Sequence, residues 1–418
     1  MNQTRNEGGF KYRAFSDKQA RVLTWWCKTS PVKDSNGIIA DGSIRAGKTL
    51  AMGLAFVFWA MESFNGQSFA LCGKTIGSLR RNVVVWLKTA LAYRGYEVVE
   101  RRADNMLVIR RGDKTNLFYL FGGRDERSQD LIQGITLAGV LFDEVALMPE
   151  SFVNQATARC SVEGSKWWFN CNPQGPQHWF RKKWIERCRS LGLLYLHFTM
   201  EDNLSLDAAI KERYKRQYHG VFYSRYILGQ WVLAQGLIYP NVAGVPVEER
   251  KYTEYRVAVD YGIYNPMAFA LFGLCGGVWY MVREYYHSGR DTKQPKTDEQ
   301  YYSDLDAFIG GVPVRMVLVD PSAASFITLI QSRGKYRVTG ANNAVIEGIS
   351  LTLSALENGG VKINECCVRM LAEFGEYRWD EKEQDKPVKM SDHLCDALRY
   401  FVMSVYGGGR AQAAGRLG

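Results

Sequence analysis

From residue 37 onward, short apolar runs alternate with longer stretches of helical character. Gly37-Ile38-Ile39-Ala40 reads as a strand, and Leu50 to Met61 is apolar on every face, as in a helix buried against a sheet. Ser68 to Cys72, Leu137 to Phe142 and Trp167 to Cys171 have the length and composition of further buried strands. Strands alternating with helices predict an α/β fold with a mostly parallel sheet. Ahead of them, Ser16-Asp17-Lys18-Gln19 has the form of a capping box and opens a helix through Trp25 and Trp26.

A second pattern starts later. Tyr255 to Asp260 is an apolar strand ending in an acid, and Met267 to Leu274 and Val278 to Glu284 read as its hairpin partners. Val314 to Asp320 is another apolar strand ending in an acid. Ser391 to Tyr406 predicts a helix with Leu394, Leu398, Phe401 and Val405 as its apolar stripe. Pro240, Gly244 and Pro246 mark a break between the two patterns. The expected organisation is a first domain over 1–235, a linker over 236–250, a second domain over 251–406 and a flexible tail over 407–418.

Composition changes this picture little. The 418 residues are 46% hydrophobic and 23% charged, which excludes a disordered, collagenous or disulfide-stapled chain. The net charge of +10 fits a polyanionic partner. Nine scattered cysteines without C-x-x-C pairs read as reduced thiols rather than a zinc site. The polar N-terminus carries no secretion signal, and Leu50 to Met61 is too short to span a bilayer, so a soluble intracellular protein is expected.

Candidate chemistry changes it more. Gly42-Ser43-Ile44-Arg45-Ala46-Gly47-Lys48-Thr49 satisfies G-x-x-x-x-G-K-[ST] between a strand and a helix. Glycines let backbone N–H groups wrap phosphates at a helix N-terminus, Lys48 neutralises the β and γ phosphates, and the Thr49 hydroxyl suits Mg²⁺. Asp143, at the end of a buried strand, is placed to hold that ion, and Glu144 to polarise the attacking water. An acid pair of this kind points to ATP hydrolysis coupled to mechanical work. Arg45 is a candidate for the γ phosphate or a neighbouring subunit, and Gln19 for adenine.

In the second half, Asp260, Asp320 and the pair Asp392 and Asp396 follow the order strand acid, strand acid, helix acids. Periodicity puts the helix pair opposite the apolar stripe, which is also the pattern of a plain solvated face. Three converging carboxylates suit two divalent ions, Mg²⁺ or Mn²⁺, acting on a phosphodiester. His393 stands beside them as a candidate proton shuttle. Trp179 to Trp184 and Lys211 to Tyr226 interleave basic and aromatic residues, the footprint of sequence-independent nucleic-acid contact.

Together these segments resemble the large terminase subunit of tailed bacteriophages and prophages. The resemblance rests on the Arg45-bearing loop, Asp143-Glu144, Phe169-Asn170-Cys171-Asn172-Pro173, His197-Phe198-Thr199 with Asp202-Asn203, Arg225 to Trp231, Gly236 to Pro240 and Asp392 to Tyr400. Cys171 departs from the family pattern, where threonine is common. The resemblance implies an N-terminal P-loop ATPase that moves double-stranded DNA into a procapsid. It also implies a C-terminal ribonuclease-H-like endonuclease that cuts concatemeric DNA. It makes Asp260, Asp320 and Asp396 metal-binding acids with Asp392 and His393 accessory, leaving open which of Asp392 and Asp396 is the essential third ligand. The cofactors it implies are ATP with Mg²⁺ at the first site and Mg²⁺ or Mn²⁺ at the second. The implied partners are DNA, a portal protein, a small terminase subunit and further copies in a ring, the isolated chain being monomeric. They act in the host cytoplasm, docked transiently on the procapsid. A trans-acting arginine is expected among Arg80, Arg81, Arg124 and Arg127. Metal-dependent cleavage separates this reading from a DNA-dependent helicase whose second half only binds.

Overall fold

Two separate sheets organise the chain in the computed structural model, which describes residues 14–407 apart from Tyr264, Glu381, Lys382 and Gln384. One compact unit runs to Lys215 and resumes over Gly220–Leu233; the other takes Arg216–His219 and the chain from Ala234. All but the first residue of the expected tail lie outside the described residues.

The first unit holds eight strands: β1 (Gly37–Gly42), β2 (Ser68–Gly73), β3 (Glu97–Arg101), β4 (Met106–Arg111), β5 (Lys114–Gly122), β6 (Gly139–Asp143), β7 (Lys166–Asn170) and β8 (Leu193–Phe198). Their order in the sheet is β3-β4-β5-β2-β6-β7-β1-β8. All pairings from β5 to β8 are parallel, as the alternating pattern predicts, while β3 and β4 extend the sheet antiparallel at one edge. Helix α1 (Asp17–Thr24) opens with the expected reciprocal Ser16–Gln19 capping box. Helix α2 (Lys48–Ser63) is buried along almost its whole length. Phe56 meets Phe69, Phe118 and Trp168 edge-on beneath it. Such burial of aromatic area is what fixes the helix, and with it the loop at its N-terminus, on the sheet.

The second unit holds β9 (Glu254–Asp260), β10 (Met267–Cys275), β11 (Val278–His287), β12 (Val314–Val319), β13 (Val338–Gly340) and β14 (Val361–Ile363), ordered β13-β12-β9-β10-β11-β14. β9, β10 and β11 form an antiparallel meander, and β12 and β13 continue parallel to β9. This is the ribonuclease-H-like arrangement. Helices α3 (Asp298–Ile309) and α4 (Ala324–Arg333) cover one face, burying Tyr301, Leu305, Phe326 and Ile330 against Val257, Val259 and Val319. Helix α5 (Val345–Glu357) precedes β14; α6 (Val368–Glu376) and α7 (His393–Tyr406) follow it. Phe401 of α7 stacks on Phe272, with ring centroids 3.8 Å apart. Period-two alternation along β9 turns Val257 and Val259 toward α3 and α4, and Ala258 and Asp260 toward α7.

The segment expected as a linker is tied to this second unit. Ile238 N–H donates to Tyr377 O (2.9 Å) and Val245 N–H to Ile363 O (2.8 Å), and Tyr239 is buried beside Phe374.

Candidate active sites

The first site forms where β1 passes into α2. Positive φ angles at Gly42 (125°), Arg45 (57°) and Gly47 (79°) curl the loop. Gly47 is needed twice: its φ favours glycine, and a Cβ there would stand 2.2 Å from Gln19 Nε2. Gln19 is buried, with Nε2 donating to Ala46 O (3.4 Å) and Oε1 accepting from Ser16 N–H (3.0 Å). It therefore lies against the loop itself. Arg45 is exposed over the Tyr214 ring (5.4 Å), and its carbonyl accepts from Asn203 Nδ2 (2.7 Å).

Lys48 is buried, its ammonium donating to Gly42 O (3.1 Å), Ser43 O (2.6 Å) and Asn172 Oδ1 (3.0 Å). Burial lowers its pKa to about 8, against the opposing pull of Cys171, Asp41, Asp143 and Glu144. Phosphate oxygens are stronger acceptors for that ammonium than its own loop carbonyls. Thr49 Oγ1 donates to Asp143 Oδ1 (3.0 Å), while Asn170 Nδ2 reaches both Asp143 Oδ1 (2.5 Å) and Thr49 Oγ1 (2.9 Å). The register places Asn170 beside Ala40 on one side and Asp143 on the other, so β7 bridges the loop strand and the acid strand. Burial raises the Asp143 pKa despite these hydrogen bonds; burial and the Asp143 charge raise that of Glu144, whose backbone is left-handed (φ 62°). A hydroxyl facing a carboxylate fits a magnesium-bound triphosphate, and Ser43 Oγ and Asn170 Oδ1 are buried polar atoms without partners beside it.

Beneath the loop lies a cluster that the sequence reading missed. Asp41, fully buried, contacts His197 Nδ1 (3.0 Å) and accepts from Trp231 Nε1 (2.7 Å). Ile44 N–H donates to Tyr226 O (2.9 Å), so residues 226–231 brace the loop from below. Trp231→Phe keeps an aromatic ring but removes the Nε1–H donor to one carboxylate oxygen of Asp41. We expect it to cost about 1–3 kcal/mol, read as a thermal midpoint lowered by several degrees at unchanged far-UV circular dichroism.

Parts of the basic–aromatic stretches are built into the core of the fold. Phe180 and Trp184 are core residues packed on Phe169, and Lys182 and Lys183 pair with Glu186 and Glu150. In the second stretch Arg225 is buried, both its Nε and Nη2 donating to Val232 O (3.0 and 2.6 Å), and Tyr218 is buried as well. Helix residues Ala208–Gln217 in the same stretch bury no side chain, and Tyr214 there lies against Arg45 and Arg213. Among the candidate trans-acting arginines, Arg80 is engaged with Glu100 (3.1 Å) and Asn105 (3.0 Å), whereas Arg81, Arg124 and Arg127 are exposed.

The second site gathers at the end of β9. Asp260 contacts His393 Nδ1 through Oδ2 (2.8 Å), and Tyr400 OH lies 3.5 Å from Oδ1. Asp320 follows β12 directly, Oδ1 accepting from Ser322 N–H (2.9 Å). Asp392 is the N-cap residue of α7, and Asp396 lies one turn on. Both are buried, so the helix face carrying them is not the solvated one that periodicity allowed. Lys389 spans the pair, 3.4 Å from Asp392 and 3.5 Å from Asp396, and Arg399 Nη2 holds Asp396 Oδ1 at 3.0 Å. Burial raises the Asp260 pKa to about 6, and the charges of Asp396 and Asp320 add to it against the His393 hydrogen bond. Burial opposes the charged His393 ring, yet the Asp260 hydrogen bond and surrounding acids raise its pKa.

Among the described residues, no three acid, histidine or cysteine side chains already converge as a metal cage. The donor set nevertheless suits hard divalent ions. The charges of Asp320 and Asp396 oppose the ionisation of Asp260, a cost that a bound cation removes. Sequence reasoning did not find Lys389, Arg399 or Tyr400 as partners of these acids.

The two units are thus a P-loop nucleotide-binding fold and a ribonuclease-H-like fold on one chain. The sequence profile described as "Terminase large subunit, T4likevirus-type, N-terminal" matches residues 39–243. The large terminase of a thermophilic bacteriophage is 55% identical over 94% of this chain and 99% of its own, with a TM-score of 0.89. The same phage protein in complex with ADP is similar at 55% identity, the same coverage and a TM-score of 0.86. The large terminase subunit of Escherichia phage T5 is 20% identical over 291 residues, 64% of this chain and 65% of that protein, a little under two thirds of its length. The chain belongs to the large terminase family.

Proposed function

We propose that this protein is the motor and nuclease of phage DNA packaging, hydrolysing ATP to move double-stranded DNA into a procapsid and cutting concatemers. The observation that carries this reading is the presence of two separate constellations on one chain. One is Lys48, Thr49 and Asp143 joined through Asn170 and Asn172; the other is Asp260, Asp320 and Asp396 ringed by His393, Lys389 and Arg399. The thermophilic-phage relative, solved with ADP and with ATP-γ-S, supports a nucleotide at the first.

In this reading the loop amides and Lys48 hold the β and γ phosphates, and Glu144 orients the attacking water. Gln19 and Arg45 line the nucleotide, Gln19 toward the base and Arg45 toward the γ phosphate or an adjacent copy. Thr49 and Asp143 would hold the Mg²⁺ that accompanies ATP; Asp260, Asp320 and Asp396, with Asp392 accessory, would hold Mg²⁺ or Mn²⁺. Such ions, when bound, supply the Lewis acidity that phosphodiester cleavage requires. Residues 1–235 form the ATPase, 251–406 the nuclease and 236–250 the connection between them. The packaging partners are a portal protein, a small terminase subunit and further copies of this chain in a ring, in the host cytoplasm. No helix among the described residues is long and apolar enough to cross a membrane.

The test is a paired assay on the full chain. ATP turnover is expected to rise when double-stranded DNA is added, and supercoiled plasmid is expected to be nicked and linearised in Mn²⁺ and left intact in EDTA. ATP turnover without any Mn²⁺-dependent cleavage would turn the reading toward a translocating ATPase with a DNA-binding second half.

A further inference from the structure

The helix that carries Asp392, His393 and Asp396 has no side-chain cap of its own, and neither has the helix before it. The first four N–H groups of a helix need acceptors from somewhere, and buried ones need them most. In α7 they come from Glu373, whose Oε2 accepts from Leu394 N–H (2.8 Å) and Cys395 N–H (3.1 Å). Glu373 is a residue of α6 and is almost wholly buried, at 1% exposure. In α6 they come from Glu284 of β11, which accepts from Arg369 N–H (2.8 Å) and Met370 N–H (2.9 Å). β11 pairs with β10 and β10 with β9, the strand that ends in Asp260. His393 of α7 then returns to Asp260 (2.8 Å).

These contacts close a circuit: sheet, Glu284, α6, Glu373, α7 and back to the sheet at Asp260. Its two carboxylates each replace a local cap by one reaching across from another element, Glu373 from the helix before α7 and Glu284 from β11. A local cap would satisfy the helix end equally well but would not tie the first turn of α7 to α6. A carboxylate anchored on α6 fixes where the first turn of α7 stands, and that turn carries Asp392 and Asp396. Buried charge is costly unless it is compensated: Glu373 Oε2 makes both backbone hydrogen bonds, while Oε1 makes none and has Arg369 Nε at 3.8 Å.

We propose that Glu373 is a positioning residue of the nuclease site, setting the separation of the α7 acids from Asp260 by capping α7 from α6, with Glu284 performing the same service one step earlier. The inference rests on the nuclease reading of this site. Glu373 reaches no reacting atom; it acts through the backbone of Leu394 and Cys395.

The test compares Glu373→Ala and Glu373→Gln with the wild-type chain in three measurements: plasmid cleavage across a Mn²⁺ series, Mn²⁺ binding by calorimetry, and hydrogen exchange of the first turn of α7 without metal. Glutamine retains an acceptor for the two N–H groups, so it is expected to cleave within about threefold of wild type with the same half-saturating Mn²⁺. Alanine is expected to lose at least tenfold in cleavage, to need more Mn²⁺ for half-saturation, and to exchange the Leu394 and Cys395 amides faster; the scale is that of removing a group that orients a ligand. ATP turnover is the internal control and should not move. If Glu373→Ala does not fold, Glu373→Asp takes its place: the charge stays, the carboxylate withdraws by one methylene, and the same losses are expected. Wild-type cleavage and Mn²⁺ binding in the alanine or aspartate variant would overturn the inference. So would equal loss of cleavage in the glutamine and alanine variants with amide exchange unchanged, since that would give Glu373 a direct chemical role. A wild-type chain that neither cleaves plasmid nor binds Mn²⁺ would instead overturn the nuclease reading beneath it.

Discussion

Lys48→Ala abolishes ATP turnover while leaving Mn²⁺-dependent plasmid cleavage at the wild-type rate: this is the expected result, and the loss should be about 100-fold or more. The side chain brings a buried cation to the loop, where it bonds Gly42 O, Ser43 O and Asn172 Oδ1. Alanine cannot reach a phosphate, and it also frees Asn172 from the loop, so nucleotide binding and hydrolysis should fall together. A fluorescent ATP analogue titrated in parallel with a phosphate-release assay separates the two. Turnover within threefold of wild type would place hydrolysis away from this loop. Loss of plasmid cleavage as well would mean that the second site needs a nucleotide-competent first site.

The converse experiment acts on Asp260. Asp260→Asn is nearly isosteric, retains a contact for His393, and removes the negative charge at the centre of the acid cluster. Cleavage is expected to fall at least about 100-fold, the upper end of what an outer-shell partner of a metal ligand costs, with ATP turnover unaffected. Stability should move the other way. Burial and the neighbouring Asp396 and Asp320 charges raise the Asp260 pKa from 3.8 to about 6. Ionisation of this group therefore opposes folding, and its stabilising contribution is present at low pH and lost as pH rises through about 6. At neutral pH without metal, the asparagine variant should melt at the same temperature as wild type or higher. A variant that cuts normally, or one that loses cleavage only because it melts early, would remove Asp260 from the site.

The parts of these sites that the sequence displayed are those whose determinants are contiguous. The phosphate loop is eight consecutive residues between a strand and a helix, and Asp143 and Asp260 each end an apolar strand. What stayed hidden is pairing across the fold. An acid inside an apolar strand demands a partner, and by that criterion Asp41 is as conspicuous as Asp260. Its partners, however, stand 156 and 190 residues away, and no local pattern points to them. Glu373 lies at a helical position with no motif around it, and only the packing of α6 on α7 shows what it holds. The antiparallel strands β3 and β4 were missed because β3 buries no residue and the buried run of β4 is only Met106–Ile109 before two arginines. Trp184 and Tyr218, flanked in sequence by lysines and arginines, are core aromatics, a burial that the basic residues around them conceal.

The brace under the phosphate loop also bears on how the chain is made. Asp41 and Ile44 leave the ribosome early, yet their partners Trp231 and Tyr226 are among the last residues of the first unit. At synthesis rates of roughly 5–20 residues per second, the loop is translated many seconds before its floor exists. Until residue 231 emerges, the Asp41 carboxylate lacks the tryptophan that caps it, and the sheet cannot bury it without penalty. Completion of the nucleotide site is thereby delayed to the end of the first unit, and a nascent chain cut short before residue 226 would carry every residue of the phosphate loop without the support that holds it in shape.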